Sequence, residues 1–192
     1  MPLPVKVLPP GILRSFQQVG RDLFIQGLNS SHSGNMSLRE KDMLWITQRG
    51  APLARLTARQ LVPVFLEDPT YRPVTASSEL PVHLEIHLRK GPGAVVHAHP
   101  PAAVALSLNQ ETIQPVDLEG RHHLPCVDVL ASCEPYDPAQ MAGAIGRALE
   151  SSRIVVVRAH GTFAWGKDLW EAMHWSSALE HSSRILLLAR LK

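Results

Sequence analysis

The chain has 192 residues, a length that suits one domain and buries a sizeable core without disulfide staples. It is 45% hydrophobic and 19% charged, the mixture of an ordinary globular protein, with a formal net charge of +2. The basic residues are scattered, with no run longer than Arg89-Lys90, and no apolar stretch reaches the ~20 residues that span a bilayer; both features argue against nucleic acid or membrane as a partner.

The opening Met1-Pro2-Leu3-Pro4-Val5-Lys6 lacks the basic-then-apolar order of a signal peptide, so the expected location is the cytoplasm. Residues 12–28 then place Ile12, Leu13, Phe16, Val19, Leu23 and Phe24 at helical spacing, with Gly27 as a candidate terminator. Ser33-Gly34-Asn35 follows as a small-residue turn. Such a turn either exposes amides that cradle a phosphate or is an ordinary reversal. Residues 43–47 and 61–66 read as strands, and Pro63 demotes the second to an edge or a bulge. Thr47-Gln48-Arg49-Gly50 is a second turn of the first kind, open to the same two readings.

Ser77-Ser78-Glu79 marks a helix start, and the helix runs to about Lys90 before Gly91-Pro92-Gly93 stops it. Its glutamate either complements the positive helix end or, facing an open metal site, moves a proton. His83 and His87 stand four apart on that helix, but Leu84 occupies the place where zincin chemistry needs a glutamate. They read as a packed or surface pair. A short buried strand, 94–99, ends at Pro100-Pro101, and a helix follows to about Asn109. Cys126 and Cys133 are too few for a disulfide framework and read as reduced thiols. Asp137-Pro138 caps a helix to about Leu149, Ile154-Val155-Val156-Val157 is a buried strand, and a last helix begins near Asp168. It carries Leu169, Ala172, Met173, Leu179 and Leu186 on one broad face. Helices between apolar strands indicate a single α/β sandwich over residues 1–192 with a covered sheet.

The chemistry centres on histidines. His97 and His99, two apart on a strand, project to one face, and a proline pair then turns the chain away. His160 stands in a comparable place, after a strand and before Gly161. The three either form the ligand set of a catalytic zinc or are unrelated polar residues at strand ends. His32, His122, His123, His174 and His181 have no partner at ligand spacing and read as structural.

Taken in order, Ser33-Gly34-Asn35-Met36-Ser37, Thr47 with Gly50, Ser77-Ser78-Glu79, His97-Ala98-His99 and Arg158-Ala159-His160-Gly161 resemble the class II aldolase/adducin family, and within it the fuculose-1-phosphate aldolase branch. The resemblance spans residues 12–188. It implies an α/β/α sandwich with a mainly antiparallel sheet, and a homotetramer with sites between subunits. It implies Zn2+ held by His97, His99 and His160, and Glu79 as acid/base. It implies phosphate contacts from Gly34, Asn35, Gly50, Ser77 and Ser78. The implied substrate is a ketose 1-phosphate, fuculose 1-phosphate or a 5-deoxypentulose 1-phosphate, cleaved to dihydroxyacetone phosphate and an aldehyde.

Three departures bear on the substrate. Arg49 stands where the family has a small hydroxyl, and either contacts phosphate or points to solvent. The chain ends at Lys192, without the tail that carries an aromatic acid/base in the fuculose enzyme. Val116-Asp117-Leu118-Glu119-Gly120 has no tyrosine where that enzyme has one, and Glu119 lies near the catalytic glutamate of the methylthioribulose-phosphate dehydratases. The alternatives are therefore a dehydratase of that kind, or a non-catalytic module like the head domain of adducin. An epimerase of the ribulose-phosphate branch fits less well, since that branch typically has aspartate at the position of Glu79.

Overall fold

The computed structural model describes residues 8–67 and 73–191. The signal-peptide reading concerns Met1 to Lys6, which lie outside the described residues, as does the terminal Lys192. Helix α1, Pro10–Ile25, begins with a proline whose missing N–H has no helical partner to lose, and it buries Ile12, Phe16, Val19 and Leu23. At its end the Gly27 N–H donates to Phe24 O at 3.0 Å and the Leu28 N–H to Leu23 O at 2.9 Å, the pair of bonds that closes a helix.

Among the described residues eight strands follow: β1 Asn35–Glu40, β2 Met43–Thr47, β3 Leu61–Phe65, β4 Gly93–Ala98, β5 Thr112–Ile113, β6 Val127–Leu130, β7 Ile154–Val157 and β8 Gly161–Gly166. They form one sheet in the order β3-β2-β1-β4-β8-β7-β6-β5. Strands β6 and β7 are parallel and the other neighbours antiparallel, so the sheet is mixed but mainly antiparallel. Pro63 lies on β3, an edge strand, where a missing donor costs little. The remaining helices are α2 Leu80–Lys90, α3 Pro101–Ser107, α4 Leu118–His123, α5 Pro138–Ser151 and α6 Leu169–Ala189. Helix α5 is the crossover that the parallel pair β6–β7 requires.

Alternation along the strands sorts the core into layers. Ala94, Val96 and Ala98 of β4 pack with α1 and α6, whereas Val95 packs with α2 and α5. The same two-residue period sends Met43 and Trp45 of β2 to the first side and Leu44 and Ile46 to the second. Helices thus cover both faces in an α/β/α sandwich. The buried Glu180 of α6 accepts from the Ala102 and Ala103 N–H groups at 2.9 and 3.1 Å, which fixes the first turn of α3 directly after Pro100. Among the described residues no helix is long and apolar enough to cross a membrane.

Candidate metal centre

His97 points to the α2 side of β4, where it is 1% exposed and stacks on Phe163 of β8 with ring centroids 4.2 Å apart. Its Nδ1 lies 2.9 Å from the Thr162 carbonyl. A carbonyl only accepts, so Nδ1 carries the hydrogen and Nε2 keeps its lone pair, the outer partner that orients a ligating imidazole. His99 follows the strand end, and its backbone N–H donates to Leu28 O and Asn29 Oδ1 at 2.8 and 3.0 Å. The Nε2 atoms of His97 and His99 face each other at 2.9 Å.

His160 occupies the three-residue turn between β7 and β8, which are paired at Val157 and Gly161. That turn sets Ala159 at φ +58, a left-handed conformation that costs an alanine about 1–2 kcal/mol. Bonds from Ala159 N–H to Ser107 Oγ at 3.0 Å and from His160 N–H to Val157 O at 3.1 Å hold it there. Gly161 allows the close approach: a Cβ there would overlap the Ala98 carbonyl and lie 2.8 Å from the His99 ring.

The ring centroids of His97, His99 and His160 lie 4.7 to 5.1 Å apart, and one nitrogen from each falls within 4.8 Å of the others. Burial, joined at His97 and His160 by the neighbouring rings, holds all three below the usual histidine range, His160 at about 4. They therefore present neutral nitrogens. Nδ1 of His160 is buried without a hydrogen-bond partner among the described residues. Three neutral imidazoles, His160 with a buried nitrogen left unpaired, fit a zinc ion, in the three-ligand set that leaves a position for substrate.

These histidines line a cavity of about 160 Å³ together with Glu79. Glu79 precedes α2 as its N-cap, one position before the first turn where the sequence pattern sets it. Its carboxylate makes no capping bond and turns inward, with Oε1 3.9 Å from His160 Nε2. Ser77 Oγ accepts from the Glu79 N–H at 3.2 Å, the role expected of a serine there. Burial raises the Glu79 carboxyl to about 7, and a 3.1 Å bond donated by the Tyr136 hydroxyl to Oε2 works in the opposite direction. The Tyr136 ring also packs 4.1 Å from that of His160. Sequence reasoning misses Tyr136. It lies 57 residues from Glu79, in a stretch with no motif of its own.

Gly34, Asn35, Gly50, Ser77 and Ser78 line the same cavity. The two turns that carry the last three are clipped together by Arg49 N–H to Thr75 O at 3.0 Å and Ser77 N–H to Thr47 O at 3.1 Å. Gly34, at φ +75, lies so close to the Asn29 amide that a Cβ would overlap it. Arg49 is exposed and lines the cavity. His32, which has no ligand spacing in the sequence, also reaches this cavity. Glu119 is exposed and lines a separate cavity with His174 and His181. Thr47 is fully buried, and its hydroxyl accepts from the Met36 N–H at 3.1 Å, so it ties β2 to β1.

Comparison with known proteins gives one consistent result. The model of the class II aldolase and adducin N-terminal domain matches residues 14–187. The crystal structure of L-fuculose-1-phosphate aldolase from Thermus thermophilus superposes with a TM-score of 0.88 at 43% identity, covering 94% of each chain. A methylthioribulose-1-phosphate dehydratase of Acidiphilium cryptum is 30% identical over 181 residues, 87% of this chain and 85% of the relative. A 5-methylthioribulose-1-phosphate/5-deoxyribulose-1-phosphate aldolase of Escherichia coli O45:K1 is 26% identical over 161 residues, 79% of this chain and 74% of the relative.

Proposed function

The chain belongs to the class II aldolase and adducin N-terminal domain family, and on that premise we propose that it is a zinc-dependent aldolase cleaving a ketose 1-phosphate to dihydroxyacetone phosphate and an aldehyde. The observation that carries the reading is one cavity in which three neutral histidine nitrogens meet a carboxylate raised to about 7, with five candidate phosphate contacts alongside. Fuculose 1-phosphate is the first candidate substrate, supported by the Thermus aldolase at 43% identity. A 5-deoxypentulose 1-phosphate is the second, supported by the Escherichia coli relative.

In this mechanism His97, His99 and His160 hold the zinc. When bound, a divalent ion supplies Lewis acidity, which eases the build-up of negative charge on a carbonyl oxygen. Gly34, Asn35, Gly50, Ser77 and Ser78 hold the phosphate and so fix which carbon faces Glu79. Glu79 removes or returns the proton at the carbon beside the ketone, and a group near pH 7 is suited to both directions. Tyr136 keeps the carboxylate oriented through its hydroxyl. The protein acts as a cytoplasmic homotetramer in this reading.

A dehydratase is the second reading, supported by the 30% identical Acidiphilium relative. It assigns acid/base work to Glu119, which within one chain lines a different cavity from the histidines. A binding module of the adducin kind has no use for three converging imidazoles and a glutamate, so it ranks last. Product analysis with zinc-loaded protein on a panel of ketose 1-phosphates separates these readings. Dihydroxyacetone phosphate with an aldehyde is expected, and a dehydrated ketose phosphate in its place overturns the aldolase.

A further inference from the structure

Three buried polar side chains behind the cavity take no part in the chemistry above. Ser37 of β1 and His83 and His87 of α2 are each 0% exposed, where polar groups are costly unless bonded. Asn35 and Ser37 stand two apart on one face of β1, and the two histidines stand four apart on one face of α2, so the two rows meet. Ser37 Oγ lies 2.7 Å from His83 Nδ1 and 2.8 Å from His87 Nε2. His83 Nε2 lies 2.6 Å from Asn35 Oδ1, and Asn35 lines the cavity.

The direction of donation follows from what each atom can do. An amide oxygen only accepts, so His83 Nε2 carries a hydrogen. Burial holds His83 well below the usual histidine range, so its ring carries that one hydrogen and Nδ1 accepts from the Ser37 hydroxyl. The serine oxygen then receives the Nε2–H of His87. Every bond points toward the cavity, each polarising the next. The amide atom left to Asn35 is Nδ2, a donor. The opposite direction requires His87 Nδ1–H to donate to the Gly91 carbonyl, 3.4 Å away, and it turns the Asn35 oxygen outward. The two contacts to Ser37 Oγ are the same in either direction, so the ends of the relay decide. The first direction keeps the 2.6 Å bond from His83 Nε2–H to Asn35 Oδ1 and gives up only the long 3.4 Å contact from His87 Nδ1 to the Gly91 carbonyl.

We propose that His83, Ser37 and His87 are positioning residues, a one-way relay of hydrogen bonds that locks the Asn35 amide with Nδ2 toward the cavity. The relay makes Asn35 a donor for an oxyanion and selects a phosphate-bearing substrate over one with a neutral or cationic group at that place. The identity of the anion rests on the function proposed above; the direction of the relay does not.

Nitrogen-15 NMR of the zinc-loaded full chain, labelled at histidine, tests the direction. Hydrogens on Nε2 of both His83 and His87 are expected, and a hydrogen on Nδ1 of either overturns the relay. Calorimetry with inorganic phosphate tests its consequence. Ser37→Ala should weaken phosphate by about tenfold, the size of a hydrogen bond to a charged group, and raise KM for the ketose phosphate with little change in kcat. In an Asn35→Ala background the same change should cost nothing more, because the relay acts only through Asn35. Equal losses in both backgrounds show a merely structural serine and overturn the proposal. Ser37→Thr keeps the hydroxyl and should retain most of the affinity. Wild-type protein that binds phosphate yet cleaves no ketose phosphate counts against the aldolase alone, and the hydrogen positions still decide the relay.

Discussion

Glu79 sits between two opposed influences. Burial favours its neutral form, and the Tyr136 hydroxyl favours the charged one. Removing only the charge, by Glu79→Gln, should lower turnover by ~100-fold or more while zinc and phosphate still bind. Steady-state kinetics beside metal analysis checks this, and near-wild-type turnover contradicts it. Tyr136→Phe removes the influence that lowers the carboxyl, so the Glu79 pKa rises. In the condensation direction Glu79 removes the proton and must be ionised to act, so the acid limb of kcat/KM for dihydroxyacetone phosphate should move to higher pH in that variant. A limb that stays in place or moves down assigns Tyr136 no such role. Glu119→Gln should cost less than ~10-fold, worth about 1.4 kcal/mol. A dead Glu119→Gln enzyme beside an active Glu79→Gln one hands the chemistry to the dehydratase reading.

Helix α2 serves the site at its start and the relay along its length, and its buried histidines tie stability to pH. His87 is held at about 4 in the folded chain, by burial first, against an ordinary value of 6.5. As pH falls below 6.5 the unfolded chain therefore takes up the proton while the folded chain does not. The stability present above that pH is lost as pH falls toward the folded pKa. Denaturant unfolding of wild type and His87→Gln should show the wild-type advantage shrinking by about 1.4 kcal/mol per pH unit in this window. An advantage independent of pH contradicts the assignment. The helical period of α1 and α6, the apolar run of β7 and the edge position forced by Pro63 are all legible in the sequence. Strand β1 is not, because its inward polar residues Asn35 and Ser37 meet buried histidines rather than a hydrophobic layer. Strand β8, bounded by Gly161 and Gly166, resembles a turn region, so the hairpin that presents His160 is hidden. The cluster motifs are legible because each is local. Tyr136 with Glu79, and Ser37 with His83 and His87, are 57, 46 and 50 residues apart and exist only in the fold.

For the whole molecule, a homotetramer is the expected assembly. The expectation comes from the family resemblance, in which sites are built between subunits. Light scattering after gel filtration at micromolar concentration should give about four chain masses, and a monomer contradicts that expectation. The central claim is the metal, because Glu79 and the phosphate contacts acquire their roles beside it. The most direct measurement is elemental analysis of the purified protein and of the His97→Ala, His160→Ala double variant, with circular dichroism to confirm folding. About one zinc per chain is expected in the wild type and none in a folded double variant. Full zinc occupancy in that variant, or a wild-type protein that binds none when zinc is supplied, contradicts the metal centre.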